Sequence, residues 1–392
     1  MRNTVMRKKL GLYIHIPFCE RKCGYCGFLS FSGSSESDRR SYAEALCREL
    51  MTLGEKYSAC YLADSIFIGG GTPSLLSSQD TENIVKTAKK AFRTASDTEI
   101  TIEGNPDSLS AEKLSAYADC GINRLSIGTQ SADDDMLRRL GRVHSWRDFL
   151  TAYERAADAG FRNVNVDIMF GFPGLDMETW ENTLKEMTSL RPQHISFYSL
   201  QLEEGTPFYE SYRNGSMDIA DESLDRAMYH RAVSELKKNG YGHYEISNCS
   251  LPGFECRHNM KYWSMGEYLG AGLGASSYIR KSGCQGTRYK NTEDTDTYIS
   301  LANSGMSPIS AGSCHKDTIS DSMAVYMFTG LRRRGGIDLD DFRSCFGSDL
   351  FKIYREKADI INGYTETGML RIEDGRLFLT EDGIDVSNDI MS

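Results

Sequence analysis

Cys19, Cys23 and Cys26 stand four and then three residues apart in Cys19-Glu20-Arg21-Lys22-Cys23-Gly24-Tyr25-Cys26, just after the apolar run Leu12-Tyr13-Ile14-His15-Ile16 and its Pro17-Phe18 stop. Thiolates this close together can wrap one compact soft metal centre. Cubane iron–sulfur clusters are usually held by four such thiolates, so a set of three leaves one iron open to an outside molecule. Phe28 occupies the place where a further ligand would follow. Two other readings fit the spacing. Zinc needs one more ligand, from His15 or a distant cysteine, and free cysteines are often simply buried apolar side chains. Spacing alone leaves all three open.

Other residues able to bind a ligand fall at the ends of strand-like runs. Ser65-Ile66-Phe67-Ile68 leads into Gly69-Gly70-Gly71-Thr72-Pro73, where bare backbone can meet a ligand closely. Glu103 follows the run Glu99–Ile102, Gln130 follows Asn123–Ile127, and Asp167 lies in Asn163–Ile168 ahead of Gly171-Phe172-Pro173-Gly174. With Leu12–Ile16 and His194–Tyr198 these make six strand-then-helix units at a period of roughly 30 residues, the pattern of parallel strands joined by right-handed crossovers. The first helix is expected from about Asp38, with Asp38 as N-cap. Six units are too few for a closed eight-stranded barrel. The predicted fold is therefore α/β, an open, partial (β/α)6 barrel, with a doubly wound sheet as the second choice. Both architectures bind ligands at the carboxyl ends of their strands, which is where the unusual residues sit.

The 392 residues are enough for one large α/β domain and a smaller companion. A formal net charge of −10 argues against a nucleic-acid surface or an anionic membrane surface. No apolar run reaches membrane-spanning length. Met1–Lys9 is basic, but no apolar leader core follows it. Eleven cysteines in such a chain point to a reducing, cytoplasmic setting and free thiols rather than a disulfide framework.

The string Tyr13-x-His15-Ile16-Pro17-Phe18-Cys19, continued by CxxxCxxC with an aromatic before the last cysteine, resembles the radical S-adenosylmethionine (SAM) superfamily. The nearest likeness is to its oxygen-independent coproporphyrinogen III oxidase branch. The resemblance implies a partial barrel and a [4Fe-4S] cluster on Cys19, Cys23 and Cys26. It also implies SAM chelated to the open iron, ready for reductive cleavage of its C5′–S bond. It assigns the methionyl end of SAM to Gly70, Gly71 and Thr72, and further SAM contacts to Tyr13, Tyr25, Glu103, Gln130, Arg142 and Asp167. Arg142 suits the SAM carboxylate. Tyr25 suits adenine. Asp167, in an apolar run, needs a fixed hydrogen-bond partner, and a ribose hydroxyl would serve.

Two departures narrow the branch. The oxidases carry a fourth cysteine two residues after the third, where this chain has Phe28, and they carry an N-terminal extension before the first motif strand. Both departures resemble the heme-chaperone branch, as does the HNxxYW signature in Arg257-His258-Asn259-Met260-Lys261-Tyr262-Trp263. A neutral imidazole is a common heme ligand, so His258 is the expected heme contact, weighed against a hydrogen-bonded structural histidine. Tyr262 and Trp263 are expected to stack on a porphyrin. The branch implies a carrier that passes heme to acceptor hemoproteins such as respiratory enzymes. Membrane association through a partner and a homodimer stay open. The rival readings are decarboxylation of coproporphyrinogen III and a radical SAM methyltransferase acting on heme.

The expected division is a barrel over 1–240, a connecting segment over 241–317 and a small unit over 318–392. That last unit has helices followed by a hairpin turning at Asp374-Gly375, a winged-helix-like α+β arrangement with an expected lid or partner-docking role.

Overall fold

The computed structural model describes residues 7–391. Its frame is one mixed sheet of twelve strands. Six are the expected units: β1 (Lys8–Ile16), β2 (Tyr61–Gly70), β3 (Thr94–Gly104), β4 (Arg124–Gln130), β5 (Val164–Phe170) and β6 (His194–Ser199). They pair in chain order and in parallel. Successive side chains alternate across the sheet. Leu10, Leu12, Ile14 and Ile16 of β1 join the apolar core with the helix residues Leu46, Leu50, Ile84 and Val85. Tyr13, Glu103, Ser126, Asn165, Asp167 and Ser196 line an interior cavity instead. The first helix is Glu36–Tyr57, and Ser35 is its N-cap. Asp38, expected as the cap, is the third helical residue of a capping box, bonding back to the Ser35 N–H at 2.9 Å.

Residues 241–317 do more than connect. They build both outer edges of the sheet, through β7 (Gly242–Glu245), β8 (Asn248–Ser250), β9 (Tyr268–Ala271), β10 (Ser276–Ser282), β11 (Gln285–Lys290) and β12 (His315–Lys316). The full order is β12-β11-β10-β9-β1-β2-β3-β4-β5-β6-β8-β7. β9 runs parallel to β1, so the parallel set has seven members. Between β8 and β9 the chain must pass from one edge to the other, and it does so as the helix Arg257–Trp263 beneath the barrel. Glu99 of β3 holds the start of that helix. Its carboxylate accepts from the N–H groups of Arg257 at 3.1 Å and His258 at 3.0 Å, satisfying donors that a helix start leaves unpaired. Gly11 makes room for the crossing, since a Cβ there would lie 2.8 Å from Lys261 Cδ.

One carboxylate holds the near edge. Glu49, buried on the first helix, accepts from the Gly272 N–H at 2.8 Å, Asn291 Nδ2 at 2.7 Å and the Tyr298 hydroxyl at 2.6 Å. The C-terminal unit pairs β13 (Ile337–Asp338), β14 (Leu370–Glu373) and β15 (Arg376–Leu379) beside the helices Ile319–Leu331 and Leu339–Phe346. Asp374 and Gly375 both have positive φ, 50° and 71°, as a two-residue hairpin turn requires. The unit docks on the far edge by Arg334 N–H to Tyr244 O at 3.0 Å, and Arg332 lies 4.4 Å over the Trp263 ring. A disulfide joins Cys284 to Cys345, where the cysteine content pointed to a reducing setting rather than a disulfide framework. No helix among the described residues is long and apolar enough to cross a membrane.

Candidate functional site

At the carboxyl ends of β1 to β6 lies a cavity of about 250 Å³. Cys19, Cys23, Cys26, Tyr25, Gly70, Gly71, Thr72, Glu103, Gln130, Arg142 and Asp167 all line it. Residues spread over some 150 positions of sequence meet here because each follows its own parallel strand. The thiols are fixed by neighbours. The Thr72 hydroxyl lies 3.6 Å from Cys19 Sγ, and Arg142 Nη1 lies 3.6 Å from Cys23 Sγ. Arg142 is itself held by Asn105 Oδ1 at 2.7 Å and Gly128 O at 2.6 Å. Burial, with the Cys23 and Cys19 thiols close by, pushes the Cys26 thiol up. Three free thiols around one cavity, with basic side chains about them, fit a cluster that leaves an iron open. The zinc reading loses His15 as its fourth ligand. His15 uses Nδ1 on the Tyr13 hydroxyl at 2.9 Å and Nε2 on Leu29 O at 2.8 Å. Among the described residues no group of three or more His, Cys, Asp or Glu side chains is gathered for a single metal ion.

Gly70 has φ +118°, and a Cβ there would stand 2.4 Å from His15 Cε1. Its N–H donates to Glu103 Oε2 at 3.0 Å. Gly70→Ala is thus expected to cost about 2–3 kcal/mol in backbone strain alone and to push His15 out from under the cysteine loop. A urea melt read beside iron content checks both effects. Burial, reinforced by the Asp167 carboxylate, pushes Glu103 up to about 8. Asp167 has the fixed partners its surroundings demanded: Asn165 Nδ2 at 2.9 Å and the Ser126 hydroxyl at 3.2 Å. Gln130 sits at φ 70°, and its Oε1 accepts from the Tyr198 hydroxyl at 3.0 Å. A non-glycine residue held in that region marks a site where the surroundings over-determine the backbone.

A second cavity, of about 580 Å³, opens from the first and shares Phe28, Gly70, Glu103, Ser126 and Asp167 with it. Tyr13 lines this second cavity, not the first, beside Phe67, Asn259, Tyr262 and Tyr268. His258, the expected heme contact, lines neither. It is 1% exposed, with Nδ1 on the Ser65 hydroxyl at 3.0 Å and Nε2 on the Tyr262 hydroxyl at 2.9 Å. Burial next to Lys261 pushes it down to about 3, so the ring is neutral and fully bonded. Its work in this structure is to hold Tyr262 at the cavity wall. Trp263 is likewise spoken for, under Arg332. Sequence reasoning missed Asn105, which bonds both Arg142 and Thr72, and Tyr198. Both lie at strand ends in phase with Glu103 and Gln130, and that phase was the available signal.

Residues 13–187 match the family model described as the radical SAM superfamily, and residues 321–386 match the one described as the HemN C-terminal domain. The chain is 35% identical over 379 residues to a *Bacillus subtilis* protein named heme chaperone HemW, covering 96% of this chain and 97% of that relative. The chain belongs to the HemW family of radical SAM proteins. The *Escherichia coli* protein of that name is 36% identical over 69% of this chain and 70% of its own. A solved structure titled as coproporphyrinogen III oxidase (HemN) from *Escherichia coli* superposes with a TM-score of 0.84 over 98% of this chain and 89% of that one, at 20% identity. That likeness shows the fold: a radical SAM barrel with a C-terminal domain. Membership of the superfamily implies a [4Fe-4S] cluster and SAM.

Proposed function

We propose that this chain is a heme chaperone that binds heme and passes it to acceptor hemoproteins, respiratory enzymes among them, in the cytoplasm. The observation that carries this reading is full-length kinship at 33–35% identity to relatives named heme chaperone HemW, in a chain whose fourth-cysteine position is Phe28, 68% exposed. Cys19, Cys23 and Cys26 would hold the cluster, which would offer an open iron to SAM. Gly70, Gly71, Thr72 and Glu103 would hold the methionyl amine, Arg142 the carboxylate, Tyr25 the adenine, and Gln130 and Asp167 the ribose side.

The test is transfer of bound heme to an apo-hemoprotein acceptor, followed by the acceptor's absorbance, with the cluster intact and with it removed. Gain of the acceptor's spectrum supports the reading. Conversion of coproporphyrinogen to protoporphyrinogen with SAM and a reductant would replace it with the decarboxylase reading.

The amine contact has a pH signature. Glu103 keeps its proton up to about pH 8, yet a cationic amine needs the carboxylate. SAM affinity should therefore tighten as pH rises from about 6 toward 8, by up to about tenfold per unit, with a proton released on binding. Calorimetric titration of Glu103→Gln beside the unaltered protein isolates this part, because the free amine of SAM titrates identically in both. Parallel pH profiles for the two proteins would remove Glu103 from the amine site.

A further inference from the structure

Arg124 lies on β4, inside the barrel, and is 2% exposed. Its Nε is buried with no hydrogen-bond partner, and no ion pair reaches its guanidinium among the described residues. Burial works against its charge and the nearby Glu99 and Asp167 carboxylates favour it, but both acids are hydrogen-bonded elsewhere. Glu99 caps the Arg257–Trp263 helix, and Asp167 is bonded to Ser126 and Asn165. A buried guanidinium N–H left without an acceptor is costly even when its charge is balanced. Such a cation persists where a ligand completes it. Arg124 lines the cavity of about 580 Å³, which lies within the range of about 300–1,000 Å³ usual for small-molecule sites. The same cavity is walled by aromatic rings. Tyr13 and Phe67 stack at 6.4 Å and 26°, and Tyr262 meets Tyr268 edge-on at 4.6 Å. Lys290 also stands on its lining, ion-paired with Glu293.

A cation in the depths and flat rings along the wall call for a planar conjugated body that carries a carboxylate. We propose that this cavity is a tetrapyrrole site in which Arg124 receives a carboxylate of the ligand, with Tyr13, Phe67 and Tyr262 against its flat face. The assignment rests on the heme-carrier reading and gives it a location. It also explains the motif. His258 fixes the Tyr262 hydroxyl, and Asn259, next to it in sequence, is on the lining. HNxxYW then shapes the pocket wall without supplying an imidazole ligand.

The full-length, cluster-loaded protein is titrated with protoporphyrin IX and with its dimethyl ester, whose carboxylates are masked. The same titrations are run on Arg124→Met and Arg124→Lys, each checked by circular dichroism. The unaltered protein should prefer the free acid by about tenfold or more, the span of one charge-assisted hydrogen bond. Arg124→Met should bind both porphyrins equally, at the level of the ester. Arg124→Lys, which keeps the charge and guards against a folding defect, should restore part of the preference. Equal binding of acid and ester by the unaltered protein, or a preference that survives Arg124→Met, overturns the Arg124 site while leaving heme carriage standing. Failure of the unaltered protein to bind either porphyrin overturns both this site and the carrier reading.

Discussion

Cys23→Ser is expected to empty the site of its cluster. Iron should fall from about four atoms per chain to below one after anaerobic reconstitution, because a cubane already short of one cysteinyl ligand has none to spare. SAM binding should vanish with it, since the open iron is gone. The fold should stay, for physical reasons visible around the sulfur. Cys23 is only half-buried on a loop, and Arg142, its neighbour, keeps its bonds to Asn105 and Gly128 without it. Cys19→Ser and Cys26→Ser should behave alike, because each supplies one corner. The measurements are iron and sulfide content, Mössbauer spectra and a SAM titration, with circular dichroism as the control for folding. Retention of four irons and unchanged SAM affinity in Cys23→Ser, or zinc in place of iron in the unaltered protein, would falsify the cluster assignment.

The parts of this molecule that were legible in sequence are those specified locally. Each of the six long strands carries its own apolar run and its own stop, so both their number and their direction could be read, and with them the rim on which the cysteines, Gly70, Glu103, Gln130 and Asp167 meet. The short edge strands could not be read this way. Asn248–Ser250 and Tyr268–Ala271 have three and four residues, and their extended state comes from pairing with β6 and β1. The register of a short strand is set by its partner, not its pattern.

His258 shows the limit at the level of one side chain. Its motif announces a role without saying which. What decides is Ser65, 193 positions away, and the burial that, with Lys261 and Arg124 nearby, keeps the ring neutral. Arg124 was passed over for the converse reason. In Arg124-Leu125-Ser126-Ile127 it reads as an ordinary solvent-facing charge at a strand start, and only the closing of the barrel turns it inward.

Glu49→Ala should destabilise the fold by on the order of 3 kcal/mol or more in urea unfolding. Three buried donors lose their acceptor at once: the Gly272 N–H, Asn291 Nδ2 and the Tyr298 hydroxyl. Each unsatisfied buried group costs about 1–3 kcal/mol, only part of which is offset by no longer burying the acid. The damage should not stay local. Gly272 presses on β1, where a Cβ would lie 2.6 Å from His15 O, and Tyr42 bridges His15 O at 2.8 Å to the Leu273 N–H at 2.8 Å. Loosening this turn loosens the strand end that carries Cys19, so slower iron incorporation should accompany the lost stability.

The pH dependence has a definite sign. Burial pushes Glu49 up to about 7, whereas the unfolded chain releases that proton near 4.5. Between those values the folded state binds more protons, so this contribution is complete below about pH 4.5 and is lost as pH rises toward 7. Glu49→Gln keeps the size and one acceptor oxygen, so it should fall between the unaltered protein and Glu49→Ala at low pH. Its stability should lack the slope from pH 4.5 to 7. Identical slopes for Glu49→Gln and the unaltered protein would place the titrating group elsewhere.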